Sequence, residues 1–316
     1  MGLTAEQHAI RATGIGGSEI ADVAGLGRYS RSINIWERKT GRAPPDAPTH
    51  HMLRGQYLEG GMRDWYSQIV NELRGPTSVL PGKTERHPEH KLVVATPDGL
   101  VFPNQGALER VLELKSPGFR TADQWGEPGT DEVPIEYVAQ TTWEMAVTGA
   151  QLADVGALID GDLRIYTVAY SPSLFEALLE RAERWWRDYV VADTPPPPDG
   201  SESYSDHLAR RFPRSNGDLL IATPEDDALA AALREARDAK DRAESRYEEL
   251  RQRLQARIAD ADGLAGTGWK ITWREQKGRS SLDQKALAAE APELVAKHTK
   301  QGKSFRVFRP TFSKEQ

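Results

Sequence analysis

No cysteine occurs among the 316 residues of the chain. That absence removes disulfide scaffolds, thiol nucleophiles, cysteine-bound zinc and cysteine-held iron–sulfur clusters in one step. Long apolar runs are missing as well. No stretch of 18 or more apolar residues exists, so no segment reads as a membrane-spanning helix and no membrane partner is expected. The opening residues MGLTAEQHAI lack the basic start and apolar stretch of a signal peptide. A soluble, cytoplasmic protein is the expectation. Positive charge is scarce: 41 Lys and Arg against 47 Asp and Glu give a net charge of −6. Taken as a total, that weighs against nucleic acid as a partner.

The distribution of charge alters this reading. Residues 263–316 hold 11 Lys/Arg against 5 Asp/Glu, a balance of +6, and residues 1–262 therefore carry −12. Between body and tail lies Thr194-Pro195-Pro196-Pro197-Pro198-Asp199-Gly200-Ser201. Four consecutive prolines fit neither a helix interior nor a central strand, and they read as an extended spacer. The length allows one large domain or two ordinary ones. We divide the chain into a core over 1–192, a proline-rich linker and connecting segment over 193–223, a long amphipathic helix over 224–262 and a basic α+β module over 263–316.

The fold class is α/β. Helices are predicted from Ser18 to about Leu26, over Ile33–Thr40 and over Met52–Leu73. Strands are predicted at Leu92–Ala95, Leu100–Phe102 and Ala107–Lys115. Ile135–Val147 reads as a helix after a proline start. Ala153–Ile159 and Leu163–Tyr170 read as a strand pair turned at Asp160-Gly161-Asp162. Leu174, Leu178, Ala182, Trp185 and Tyr189 mark one face of a further helix. Tyr247, Leu250, Leu254, Ile258 and Ala261 give one apolar stripe on the long charged segment. In the tail, Trp269, Ile271 and Trp273 alternate with Lys270, Thr272 and Arg274 as a half-buried strand would, and Phe305–Phe308 is a second candidate strand. These aromatics predict a small packed module whose Lys/Arg surface helps hold phosphates.

The chemistry concentrates in Thr96-Pro97-Asp98-Gly99, followed fourteen residues after Asp98 by Leu112-Glu113-Leu114-Lys115. On a strand, Glu113 and Lys115 share one face while Leu112 and Leu114 take the other. A hairpin brings the Asp98 carboxylate beside Glu113. Carboxylate oxygens are the hard ligands that Mg²⁺ or Mn²⁺ requires, and a lysine beside them can hold a water or balance charge on a phosphate. Taken singly, Pro-Asp-Gly is a common turn and Glu-x-Lys a common surface ion pair; the combination points to a metal-dependent phosphodiesterase. Glu59, on the preceding helix, could add a third acid or simply face solvent. Gln140 shares a helix face with Trp143 and can donate to a phosphate or a water, whereas Trp143 reads as core. Gly16 and Gly17 permit close backbone approach to a ligand, Ser18 opens a helix, and Arg11 adds charge upstream. An ordinary helix cap is the alternative for Ser18. Arg28 and Tyr29 follow another glycine turn, as DNA contacts or as plain loop residues.

At Ile15-Gly16-Gly17-Ser18-Glu19-Ile20, Arg54–Glu59, Pro97-Asp98, Glu113-Leu114-Lys115 and Gln140, the sequence resembles the PD-(D/E)xK nuclease superfamily. Within it, the chain looks like the YqaJ viral recombinase family, relatives of the lambda-type phage exonucleases. The likeness runs over about residues 10–190. It implies a restriction-endonuclease-like core, a mixed central sheet flanked by helices. It implies Asp98, Glu113 and the carbonyl of Leu114 as Mg²⁺ ligands, with Glu59 as an added ligand, direct or through water. Lys115 would position the attacking water, Gln140 would support that water or the scissile phosphate, and Ser18 with Arg11 would hold the 5′ phosphate of a DNA end. It further implies 5′-to-3′ digestion of linear double-stranded DNA, a single-strand annealing protein as partner, a ring trimer, and a phage or prophage setting in a bacterial host. An endonuclease of restriction or repair and a non-catalytic DNA-binding or scaffolding protein are the alternatives. Glu144 stands where RecB-type nucleases carry tyrosine, four residues after the glutamine.

Overall fold

The computed structural model describes residues 4–27, 32–43, 49–104, 106–278, 280–302 and 304–311. The chain divides into two compact units, Met1–Arg211 and Phe212–Gln316. In chain order the first unit runs α1 (Ala5–Ala12), β1 (Ile15–Gly16), α2 (Gly17–Val23), α3 (Ser32–Lys39), α4 (His50–Arg74), β2 (Thr77–Leu80), β3 (Glu85–Arg86) and β4 (Val93–Ala95). It continues with β5 (Gly99–Pro103), β6 (Arg110–Lys115), α5 (Ile135–Thr148), β7 (Leu152–Ile159), β8 (Asp162–Ala169), α6 (Pro172–Trp185) and α7 (Glu202–Arg211).

Local chemistry sets the element ends. The Thr49 side chain accepts from the Met52 N–H at the start of α4, which satisfies one of the free donors of a first turn. Pro134 precedes α5, and Gly149 stops it in the left-handed region at φ 79°, where a Cβ would be strained. Asp160 and Gly161, at φ 53° and 93°, turn β7 into β8. Two consecutive positive φ values match the twist of a two-residue hairpin loop.

The central sheet has the order β2-β5-β6-β7-β8. Strands β6 and β7 are parallel and the other neighbours antiparallel. A parallel pair needs a crossover, and α5 lies within it. A smaller sheet, β1-β4-β3, carries β1 parallel to β4. The two-residue period of the strands sorts the side chains. Val111, Val155, Ala157 and Tyr166 pack with Met145 of α5. Val101, Leu112 and Leu163 pack with Met62, Tyr66 and Val70 of α4. The mixed sheet flanked by helices, expected from the resemblance, is therefore present. Trp143 is core as expected: it is fully buried, and its Nε1–H donates to the Ile15 carbonyl at 2.9 Å.

The hairpin expected to bring Asp98 beside Glu113 is present as β5–β6, while β4, on the other side of the Pro-Asp-Gly turn, joins the smaller sheet. Two differences from the sequence reading remain. The strand predicted from Ala107 begins only at Arg110. Helix α7 lies within 193–223 and packs on α3, where buried Glu37 pairs with His207 Nδ1 at 2.7 Å and Arg210 Nη2 at 2.6 Å. A buried carboxylate calls for such partners.

The second unit holds α8 (Pro224–Ile258), β9 (Gly263–Gly266), β10 (Trp269–Thr272), α9 (Gln284–Glu290) and α10 (Pro292–His298). Thr223 caps α8 reciprocally with Asp226. The predicted stripe deepens along that helix, from Tyr247 in solvent to buried Ile258. No strand forms at 305–308, and the tail is not the packed aromatic module expected: Trp269 and Trp273 are half exposed, Phe305 and Phe308 81%. Among the described residues no helix is long and apolar enough to cross a membrane.

On the α4 side of the sheet, Asp154 is fully buried. Tyr66 and Arg74 donate to its Oδ2 at 2.6 and 2.5 Å, and Arg110 and Thr167 to its Oδ1 at 3.2 and 2.8 Å. Removing one member of a buried charge network leaves the others uncompensated. Asp154→Ala is expected to lower unfolding free energy by about 3–5 kcal/mol, read from urea denaturation. A loss under about 1 kcal/mol would place this network with weak surface pairs.

Candidate active site

Strand β6 presents Glu113 and Lys115 to the α5 side of the sheet. Lys115 Nζ lies 2.5 Å from Glu113 Oε1 and 3.0 Å from Gln140 Oε1. The Gln140 amide then turns its Nε2 to Glu113 Oε1 at 2.6 Å and to Glu144 Oε1 at 2.9 Å. The Lys115 ammonium also sits 4.9 Å from the centre of the Tyr137 ring, a cation–π distance. Thus α5 meets the strand pair with three residues at helical spacing: Tyr137, Gln140 and Glu144.

Asp98 reaches the same place from the entry to β5. The β5–β6 ladder ends with Gly99 opposite Leu112. Beyond it, the Leu114 N–H donates to Asp98 Oδ2 at 2.7 Å. Arg63 Nη1 donates to the Asp98 carbonyl at 2.8 Å and to Glu59 Oε1 at 3.1 Å. One guanidinium therefore fixes both the Pro-Asp-Gly turn and Glu59. Glu59 stands on the cleft wall, partly exposed and held by Arg63. Among the described residues, no three Asp, Glu or His side chains close into a metal cage.

The electrostatics follow from this crowding. Burial, and next the Glu113 carboxylate, push the Asp98 carboxyl well above the usual range. Burial and Glu113 do the same to Glu144. For Lys115, burial works against the charge, yet Glu113 and Asp98 outweigh it and its pKa rises. It stays an ammonium. Glu113 Oε2 and Glu144 Oε2 are buried without a hydrogen-bond partner. Hard oxygen donors with an open valence, next to a second acid whose charge is disfavoured, fit a divalent cation. Asp98 and Glu113, with the Leu114 carbonyl on the same strand, would hold it.

A cleft of about 570 Å³ gathers these groups; Arg11, Ser18, Glu59, Asp98, Glu113 and Gln140 all line it. The glycine motif arrives because β1 runs parallel to β4, with Ile15 beside Val93, which puts α2 at the same end as Asp98. Gly16, not Ser18, caps α2. Its N–H donates to Glu19 Oε2 at 2.9 Å, and Lys39 holds that oxygen at 2.7 Å. Ser18 is left exposed, with Arg11 Nη2 3.2 Å from its Oγ. Arg11 Nη1 reaches Thr96 Oγ1 at 3.5 Å. A Cβ on Gly17 would stand 2.8 Å from Glu144 Oε1, so only glycine allows this approach without displacement. Arg28 and Tyr29 lie outside the described residues. The structure thus brings together every other singled-out residue, with Leu114 contributing backbone. Arg63 and Glu144 were not foreseen. Each follows a predicted residue by four positions on the same helix, and that spacing was the available signal.

Comparison with known proteins gives the chain relatives. The YqaJ-like viral recombinase domain matches residues 6–151. The uncharacterized protein YqaJ of Bacillus subtilis (strain 168) is 23% identical over 304 residues, 92% of this chain and 89% of that protein. Among solved structures, the chain is similar to an alkaline exonuclease (LHK-Exo) from Laribacter hongkongensis, with 22% identity and a TM-score of 0.46 over 66% of this chain and 99% of that one. A phage related exonuclease from Haemophilus somnus 129PT follows at 12% identity and a TM-score of 0.42, over 57% and 96%. The matched stretch spans the cleft residues from Arg11 to Glu144 and ends just before β7.

The raised Asp98 pKa has a measurable sign. A carboxyl that holds its proton more tightly when folded stabilises the fold at acid pH and loses that contribution as pH rises through the raised pKa. Asp98→Asn escapes the loss while keeping an acceptor for the Leu114 N–H. Without divalent metal, the variant and the parent should melt alike at about pH 4, with the variant higher by pH 8. Added Mg²⁺ should raise the parent alone. A pH-independent difference would mean that the two acids do not oppose each other.

Proposed function

We propose that this chain is a divalent-metal-dependent deoxyribonuclease. In this reading it digests linear double-stranded DNA from the 5′ end in phage-type recombination by single-strand annealing. One observation carries it: the buried Glu113 carboxylate is shared by Lys115 and Gln140, leaves one oxygen open, and lies in one cleft with Asp98. An ordinary structural ion pair has no use for an open oxygen and a second, charge-disfavoured acid.

The ion, Mg²⁺ or Mn²⁺, supplies a Lewis acid for the phosphate and lowers the pKa of a water. The remaining work belongs to the chain. Lys115 is locked as an ammonium and aimed by Glu113 and Gln140. It holds the attacking water or balances charge on the scissile phosphate. Gln140 keeps its carbonyl on Lys115, so the lysine has one orientation rather than several. At the cleft edge, Arg11 and the exposed Ser18 hydroxyl offer donors to the phosphate of a DNA end. Glu59, tied to Arg63, acts through water. The same reading carries an annealing protein as partner and a homo-oligomeric ring.

The deciding experiment is digestion of end-labelled linear duplex with 5′-phosphate or 5′-hydroxyl ends, with and without Mg²⁺. Metal-dependent release of nucleotides from the 5′ end is expected. Cleavage of covalently closed plasmid would favour an endonuclease, and inertness with both ions a binding or scaffolding role. Lys115→Ala should lower the rate by roughly 100-fold or more and leave DNA-end binding in place. Arg11→Ala should reduce the preference for a 5′-phosphate by about tenfold, the worth of one charged hydrogen bond. Equal losses on phosphate and hydroxyl ends would give Arg11 a structural role instead.

A further inference from the structure

Glu144 is the least economical residue in the cleft. It is 1% exposed, its Oε1 accepts from Gln140 Nε2 at 2.9 Å, and its Oε2 has no partner. An unsatisfied buried carboxylate oxygen costs stability, and a methionine of similar length would fill the space at lower cost. The backbone makes room for it as well, since a Cβ on Gly17 would meet Glu144 Oε1 at 2.8 Å and Cγ at 3.2 Å.

What the carboxylate does is visible in the Gln140 amide. An amide has an acceptor end and a donor end, and nothing in its shape prefers one way round. Here the acceptor end must face Lys115 Nζ, 3.0 Å away. Glu113 Oε1, at 2.6 Å from Nε2, supplies one acceptor for the donor end. That same oxygen also receives Lys115 at 2.5 Å, and it lies in the set proposed to hold the metal. Glu144 Oε1 takes the second proton of Nε2 and is not among the oxygens proposed to hold the metal.

We propose that Glu144 is a positioning residue that locks the Gln140 amide in one orientation and, through it, the Lys115 ammonium. This rests on the nuclease reading for its catalytic consequence only; the amide lock itself exists with or without activity. The role needs an acceptor at Oε1 and no negative charge. A glutamine at 144 can present its own amide oxygen to Gln140, whereas a methionine offers no comparable acceptor.

The test uses the full chain with Glu144→Met, Glu144→Gln, Gln140→Ala and the Gln140→Ala/Glu144→Met double variant. Glu144→Met should lower kcat by about tenfold or more and leave KM for linear duplex within about threefold, the pattern of a loss confined to the transition state. Glu144→Gln should stay within about threefold of the parent. In the Gln140→Ala background, Glu144→Met should add nothing, because residues acting through one another are non-additive. Independent of activity, the Gln140 side-chain amide protons, assigned by their loss in Gln140→Ala, should exchange with solvent about tenfold faster in Glu144→Met. Equal exchange in parent and Glu144→Met overturns the proposal even if the protein cleaves no DNA. With an active parent, multiplicative loss in the double variant, or a Glu144→Gln defect as large as that of Glu144→Met, also overturns it. An inactive parent with the exchange difference intact would instead overturn the nuclease reading and leave the lock standing.

Discussion

A carboxylate at 4% exposure, Glu113 on a central strand, is the constraint around which the site is organised. Removing such a charge from water costs several kcal/mol unless cations and donors replace the lost hydration. Each neighbour answers that demand. Lys115 is two residues along the same strand, so the pleat delivers it to the same face without any tertiary help. Gln140 has to come from another element, and α5, in the connection between parallel β6 and β7, lies over that face. The crossover that the sheet topology requires is therefore also the one that completes the charge network. Asp98 enters because the β5–β6 ladder ends one pair early and leaves the Leu114 N–H to be bonded from the side.

The other face of the sheet shows what a finished buried acid looks like. Asp154 and Glu113 are both deeply buried on neighbouring strands, and both contact cations. Around Asp154, Tyr66, Arg74, Arg110 and Thr167 satisfy both oxygens. Around Glu113, Lys115 and Gln140 converge on one oxygen and leave the other empty. The first arrangement uses every acceptor to join α4, β6, β7 and β8. The second leaves an acceptor free in a cleft and sets a second acid beside it. At similar burial, the unsatisfied oxygen is what sets Glu113 apart from Asp154.

Much of this was legible in the sequence because the period of a strand is rigid. Glu113 and Lys115 had to share a face, and Leu112 had to oppose them, whatever the sheet. The Asp160-Gly161 turn and the proline start of α5 were readable from backbone sterics. Pairing was less legible. The hairpin that sets Asp98 beside Glu113 was expected and is β5–β6, but a short apolar run does not say which neighbour it will bond, and nothing in Leu92–Ala95 announced that β4 pairs with β1 and β3. Arg63 and Glu144 escaped because charge on a helix is ordinarily a solvated face. Only the packing of α4 and α5 onto the sheet turns those two positions inward. Ser18 was placed in the first turn of α2, and its alternative role as the cap falls away: the cap is Gly16, and Glu19 reaches back to its N–H.

The tail shows the same limit from the opposite side. Trp269, Ile271 and Trp273 alternate as a strand should, and over the first part of that run a strand forms, with Trp269 opposite Gly266. Alternation specifies which residues share a face; it does not supply a second layer to cover it. Among the described residues this hairpin has one neighbour per strand and no opposing sheet, and its tryptophans are half in solvent. In the first unit the same signal led to burial because α4 and α5 bracket the sheet. The difference lies in what surrounds the strand, and it is why an identical two-residue period yields a core at Val111 and Val155 but an open surface at Trp269.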